Sequence, residues 1–285
     1  MISPIKILET PRDAMQGLHR IIPTEKKIEL INALLEVGFD IIDVGSFASA
    51  KAIPQMNDTA EVLERIDMSE SRSKLFVLVV NTRGALKASH YSQISYIGFP
   101  FSPSPTFLKK NINSDFEKAW KTIVEIQEIC LKTNKTFMVY LSMAFGNPYG
   151  DPEDTDLIYY WIEKLHETGI KNISLSDIIG VVSPEKIDTV YSALKSYHNN
   201  IEFGLHLHIA KEDWNLKLDA AFRHGCTIFE GVINGLGGCP MTGYELLGNL
   251  PTINIIDWAA NKSIPLMIDR NKLQKALETS NRILY

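Results

Sequence analysis

Phe203-Gly204-Leu205-His206-Leu207-His208 is an extended run whose alternation decides how the rest of the chain is read. Successive side chains of a strand point to opposite faces, so His206 and His208 share one face and Leu207 takes the other. Two neutral imidazoles held side by side on a strand are good divalent-ion ligands and need no loop to order them. An H-x-H pair reads equally as two hydrogen-bonded histidines at a strand end. The metal reading therefore requires further ligands, brought to the same place by other strands.

Outward from this segment, runs rich in β-branched and aromatic residues alternate with helix-like segments along the chain. The runs are Ile5–Glu9, Ile41–Gly45, Leu75–Val80, Ile94–Gly98, Thr136–Leu141, Asn172–Ser176, Glu202–His206 and Thr227–Val232. Thr24 behind Pro23, and Ser183 before Pro184-Glu185, stand where helices should start. Between 115 and 132, Phe116, Ala119, Trp120, Ile123 and Ile126 fall along one helical side. Gly38, Gly169 and Gly225 mark helix ends ahead of strands. Eight strands alternating with helices, without a composition break, predict one α/β domain over 1–285: a (β/α)8 TIM barrel with an additional C-terminal helix from Asp269. An open doubly wound sheet would place a glycine-rich turn after its first strand, whereas Thr10-Pro11-Arg12-Asp13 makes no phosphate cradle.

Composition narrows the function classes. With 45% apolar and 22% charged residues, the chain reads as a soluble globular protein with ample material for a core. A net charge of -5 gives duplex DNA no general attraction, so no nucleic-acid partner is expected. Cys130, Cys226 and Cys239 form neither a zinc pattern nor a disulfide framework, which fits a reducing compartment. No leader pattern opens the chain and no apolar run reaches the ~18 residues of a membrane span. The expectation is a cytoplasmic protein with no membrane partner.

In such a barrel, chemistry gathers where strands end and βα loops begin. Strand 1 runs into Pro11-Arg12-Asp13-Ala14-Met15-Gln16, strand 2 into Asp43-Val44-Gly45-Ser46, strand 6 into Ser176-Asp177, and strand 8 into Gly235-Leu236-Gly237-Gly238-Cys239-Pro240 and then Gly248-Asn249. Asp13, His206, His208 and Asn249 would form a mixed oxygen–nitrogen set suited to Mg2+ or Mn2+ with positions left open for substrate oxygens. Each residue also has a plain role: Arg12 and Asp13 in a strand-end ion pair, Asp43 as a helix cap, Asp177 on loop amides, and Asn249 as the N-cap of the last barrel helix. Cys239 between glycines and a proline is a thiol that the backbone leaves accessible.

These stretches resemble 3-hydroxy-3-methylglutaryl-CoA lyase and the wider metallolyase family of TIM barrels. The matching segments are Pro11-Arg-Asp-Ala-Met-Gln16, VGSFASAKAIPQMND (44–58), FLKKNIN (107–113), SLSDIIGVVSP (174–184), GLHLH (204–208) and GLGGCPMTGYELLGN (235–249), in the family's order. The resemblance implies that Asp13, His206, His208 and Asn249 hold the metal. It makes Arg12 the electrostatic partner of a developing enolate and Cys239 an acid/base residue on a mobile loop. Asp43 takes the place of a family glutamate as a third catalytic residue. Gln16, Ser46, Asp177, Lys109 and Lys110 become the candidate substrate contacts, the two lysines near the entrance where a CoA tail could pass. The chain departs from the family at Asp43, at Ile209-Ala210 where Asp-Thr is common, at Ala14, and in one extra residue between Cys239 and Asn249.

The reaction so implied is a retro-Claisen cleavage of a 3-hydroxy-3-methyl acyl-CoA to acetyl-CoA and a ketone product, with Asp13 or His206 as the base. A homodimer is the assembly that the resemblance suggests. Two other readings fit the same residues: an aldolase or condensing relative acting on another hydroxyacyl-CoA or 2-oxo acid, and a non-catalytic barrel that binds metal or CoA. An exposed thiol beside a cation speaks against the last.

Overall fold

The alternation of strand-forming runs and amphipathic segments folds as a closed barrel in the computed structural model, which describes residues 4–197, 200–209, 213–238 and 247–285. The strands are Lys6–Glu9 (β1), Ile41–Ser46 (β2), Lys74–Leu78 (β3), Ile94–Phe101 (β4), Thr136–Ser142 (β5), Asn172–Asp177 (β6), Glu202–Leu207 (β7) and Ile228–Gly231 (β8). They pair in chain order, all parallel, and β8 returns to β1. The helices between and after them are Pro11–Gln16 (α1), Thr24–Leu35 (α2), Thr59–Arg65 (α3), Thr82–Ser89 (α4), Pro105–Ile112 (α5), Phe116–Thr133 (α6), Thr155–Glu167 (α7), Pro184–Tyr197 (α8), Trp214–Arg223 (α9), Thr252–Asn261 (α10) and Arg270–Leu284 (α11). The expected C-terminal helix is α11, capped by Asp269, whose side chain accepts from the amides of Asn271 and Lys272. None of the described helices is long and apolar enough to cross a membrane.

Two main apolar regions hold this arrangement, beside a minor cluster of Phe107, Met143 and Ile178. The larger lies between the strands and the helical ring. The smaller plugs the barrel itself with Leu8, Ile41, Phe76, Leu78, Met138, Tyr140 and Ile228. Inward positions must alternate in size for a closed barrel to fill without voids. Gly98 shows why: a Cβ there would stand 1.9 Å from Cζ of Phe76, so the ring of β3 occupies the space that β4 leaves open. Lys6 and Glu202 close the opposite end with an ion pair at 2.6 Å, leaving the C-terminal strand ends as the polar mouth.

Local signals mostly act as their chemistry predicts. Asp115 caps α6 by accepting from the Lys118 amide, and Ser183 caps α8 through the Lys186 amide. Gly38, Gly169 and Gly225 all adopt positive φ after helices. Two expected caps are corrected. Thr24 is the first residue of α2 behind Pro23, and its hydroxyl donates to Asp58 at 2.8 Å instead of capping. Asn249 lies upstream of the α10 start, where Pro251 holds the cap position, so its side chain is free for another task. The 11–16 segment is a short helix, because Pro11 at its first turn has a φ already suited to one. Cys130 and Cys226 are free and buried, and Cys239 lies outside the described residues.

Glu9 points out of the barrel into the layer under α10, fully buried. It accepts from the Ile233 amide at 2.8 Å and from the Thr252 hydroxyl, so one carboxyl group ties the end of β8 to the start of α10. Burial pushes its pKa up to about 8, the two hydrogen bonds only partly opposing. The folded state thus holds a proton that the unfolded chain releases near 4.5. The stability this contributes is complete below that value and is lost as pH rises through about 8. Glu9→Gln keeps the neutral form at every pH. Its melting temperature should match the parent's at pH 4.5 and exceed it increasingly up to pH 9; an equal deficit at both ends would contradict this account.

Candidate active site

Strand parity places the polar residues. On β7, Gly204 and His206 face inward; on β8, Ile228 and Glu230 do so; on β2, Ile41 and Asp43. Register then sets His206 beside Ser176 of β6 and Glu230 of β8. His208 follows the last β7 residue, its amide bonded to the Asp177 carbonyl at 2.9 Å. There its backbone forms an antiparallel bridge with Asn249, flanked by Ile209 N–H to Gly248 O at 3.0 Å and Leu250 N–H to Leu207 O at 3.0 Å. The chain returning from the glycine–cysteine loop is thereby zipped onto the end of β7.

Asp13 on α1 completes the group. One ligand atom each from Asp13, His206 and His208 lie within 4.8 Å of one another, all at the C-terminal mouth. Asn249 Nδ2 donates to Asp13 Oδ2 and to the Leu236 carbonyl, both at 2.9 Å. Those bonds fix the amide's orientation and leave Asn249 Oδ1 buried without a partner among the described residues. An orphaned buried carbonyl costs roughly 1–3 kcal/mol unless something accepts its lone pairs. A cation beside a carboxylate and two imidazoles would, so the residues fit a divalent metal. Gly237, at φ +108°, packs against the same point. A Cβ there would come 2.6 Å from Asn249 Nδ2 and 2.9 Å from the Asp13 carbonyl oxygen.

Arg12 is the other fixed charge. Its Nε and Nη2 reach Asp43 Oδ2 at 2.9 and 2.7 Å, while Nη1 reaches Asp13 Oδ1 at 2.9 Å and Gln16 Oε1 at 3.0 Å. The guanidinium is thus locked at the mouth by three side chains. Burial pushes Asp43 up to about 6 even with Arg12 beside it. Burial alone would raise Asp13 too, but Arg12, both histidines and the Asn249 bond outweigh it and hold the carboxyl below its ordinary value. Desolvation, then His206, bring His208 down to about 3, so that ring is neutral and able to bind metal. Desolvation works against protonated His206 as well, yet Glu230 and Asp13 carry its pKa above 6.5.

The remaining expected contacts are spread more widely. Gln16 joins the cluster through Arg12. Ser46 is buried, its hydroxyl donating to the Leu78 carbonyl at 2.9 Å and accepting from the Ala48 amide at 3.1 Å. Asp177 accepts from the Val182 amide at 2.9 Å and pins the loop after β6, the plain role foreseen for it. Lys109 and Lys110 are exposed on α5, with the Lys110 ammonium 4.3 Å from the Tyr149 ring centre. Asp151 holds that region together, bonding Ser104 and Thr106 at the head of α5. Three residues that no sequence motif marks also stand in this region. Glu230 lies 3.2 Å from His206 Nδ1 and accepts the Ser174 hydroxyl. Tyr140 stands edge-on to His206 at 6.2 Å, its hydroxyl without a well-formed hydrogen bond among the described residues. Lys217 of α9 is fully buried, 3.2 Å from Asp213. An acid inside the strand run Ile228-Phe-Glu-Gly231 was the available signal for the first.

Residues 5–280 match the sequence profile of the HMGL-like family. The hydroxymethylglutaryl-CoA lyase YngG of Bacillus subtilis (strain 168) is 32% identical over 266 residues, 93% of this chain and 88% of that one. The mitochondrial hydroxymethylglutaryl-CoA lyase of Homo sapiens is 30% identical over 282 residues, 98% and 84% of the two chains. Among solved structures, the HMG-CoA lyase of Bacillus subtilis aligns with TM-score 0.91 at 30% identity, over 98% of this chain and 94% of that one. An HMG-CoA lyase of Acinetobacter baumannii, in complex with coenzyme A and 3-methylmalate, aligns with TM-score 0.90 at 28% identity, over 99% and 91%.

A divalent ion seated by these residues should stabilise the fold. At a free concentration 100 times its Kd, Mn2+ adds about 2.7 kcal/mol. Differential scanning calorimetry should show a rise of several degrees, reversed by EDTA. Because the His206 pKa is raised above 6.5, protons compete with the ion from above that value downward. The Mn2+ gain should therefore shrink as pH falls from 8 to 6; a gain independent of pH would exclude His206 as a ligand.

Proposed function

The chain belongs to the HMGL-like family, and from that premise we propose a mechanism for a carbon–carbon lyase that cleaves 3-hydroxy-3-methylglutaryl-CoA to acetyl-CoA and acetoacetate. The observation that carries it is the joining of an Asp13–His206–His208 cluster to the guanidinium of Arg12 through Asp13 itself. Asp13, His206, His208 and Asn249 would hold the cation, with Mg2+ or Mn2+ the choice that an oxygen-rich set with substrate positions favours. When bound, such an ion makes a coordinated hydroxyl more acidic and polarises a neighbouring oxygen. The Acinetobacter baumannii relative's 3-methylmalate carries a hydroxyl beside carboxylates, and its coenzyme A supports an acyl-CoA substrate for this chain.

In this reading Asp13, kept ionised by Arg12 and the histidines, or His206 accepts the proton of the substrate's C3 hydroxyl. The C2–C3 bond then breaks: its electrons go to C2, C3 becomes the ketone carbon of acetoacetate, and the acetyl-CoA enolate remains. Arg12, held protonated by Asp43 and Asp13, stabilises the charge on the thioester oxygen of that enolate. Asp43 and Gln16 aim the guanidinium. Cys239 then gives its proton to C2, releasing acetyl-CoA. Lys109 and Lys110 offer positive charge to the CoA phosphates, while Ser46 and Asp177 shape the loops around the acyl end. We also take residues 1–285 as one catalytic domain, acting in the cytoplasm as a homodimer.

Incubation with 3-hydroxy-3-methylglutaryl-CoA and Mg2+ or Mn2+ should yield acetoacetate and acetyl-CoA in equal amounts, and EDTA should stop it. Cys239→Ala should lower kcat by about 10²–10⁴ while leaving Mn2+ affinity nearly unchanged. Unaltered turnover in Cys239→Ala would remove the thiol from the reaction, and absence of acetoacetate from the parent would refute the assignment.

A further inference from the structure

Glu230 is a fully buried carboxylate in the barrel interior that the mechanism above does not use. It is the register partner of His206 across β7 and β8, and its oxygens face the Ser174 hydroxyl and the His206 ring, with the Tyr140 hydroxyl also close to it. Oε1 accepts the Ser174 hydroxyl, and Oε2 lies 3.2 Å from His206 Nδ1. A carboxylate accepts hydrogen bonds, so the facing ring nitrogen carries the proton. In the neutral imidazole, Nε2 is then the nitrogen with a free lone pair. The Tyr140 ring stands across the same imidazole at an interplanar angle of 82°. His208, by contrast, is placed through its backbone, by the Asp177 carbonyl and the Asn249 bridge.

We infer that Glu230 is a positioning residue for the His206 ligand: with Ser174 it holds the proton on Nδ1 and presents Nε2 to the point shared with Asp13 and His208. This rests on the metal-site reading above and adds to it a carboxylate that never touches the ion. An apolar residue would fill the same interior space without the cost of burying a charge, so the carboxylate is expected to serve the ring beside it. Its charge also makes the imidazole a stronger donor, and loss of such a partner commonly weakens metal binding about 10–100-fold.

Mn2+ affinity, measured by titration with electron paramagnetic resonance detection of free ion, tests this on the parent, Glu230→Gln and Glu230→Ala. Glutamine is isosteric and can still accept from Nδ1–H, so it preserves the fold and the tautomer but not the charge. Affinity should fall in the order parent, Gln, Ala, with the Ala variant about 10–100-fold weaker than the parent. Long-range ¹H–¹⁵N NMR at pH 8 without metal gives a second readout: the parent should show His206 as the Nδ1–H tautomer and Glu230→Ala a shift toward Nε2–H. Affinities within twofold across the three proteins, or an Nε2–H tautomer in the parent, would overturn the role of Glu230. A parent that takes up no Mn2+ would instead overturn the metal site, and this inference with it.

Discussion

The mouth of the barrel depends on keeping the Asp13 carboxylate negative in a place where burial alone would neutralise it. Its two oxygens are shared between different kinds of donor: Oδ1 with the Arg12 guanidinium, Oδ2 with the Asn249 amide. The two histidines add their influence from the other side. Arg12 in turn would be an expensive buried cation without Asp43, which receives two of its nitrogens. The site is therefore a set of charges each made tolerable by the next. One carboxylate–guanidinium contact thereby puts a negative and a positive group side by side at the mouth.

Rigid backbone supplies the geometry. His206 sits on a strand flanked by β6 and β8, and His208 is held one step beyond by the bridge to Asn249. That bridge ties the return of the glycine–cysteine loop to the strand that carries the imidazoles. The backbone at 248–250 is thereby fixed beside His208 and Asp13. Gly237, with no Cβ, lets the upstream end pass between Asp13 and Asn249.

Much of this was legible in the sequence because it obeys local rules. The period-two alternation of 203–208 put both histidines on one side, and the eight β-branched runs separated by amphipathic segments left few topologies open. Strand limits moved by a few residues, as with β3, which stops at Leu78 because Asn81 already caps α4. What escaped was long-range. Asn249 reads from the sequence both as a ligand beside Asp13 and as a helix cap, and only the fold removes the cap role, because the chain orients its amide on a carboxylate 236 positions away. Glu230 hid inside a strand because its reason for being there, the ring nitrogen of His206, comes from a neighbouring strand. Ser46 and Asp177 carried polar side chains to the right end of the barrel, yet their atoms bond loop and strand backbone. A sequence shows which residues reach the mouth more readily than which atoms face into it.

The most direct test of the central claim is a crystal of the protein grown with Mn2+, with anomalous scattering measured at the manganese edge. One strong peak per chain is expected, within coordination distance of Asp13, His206, His208 and the Oδ1 of Asn249. A peak elsewhere, or none at these four residues under saturating Mn2+, would contradict it.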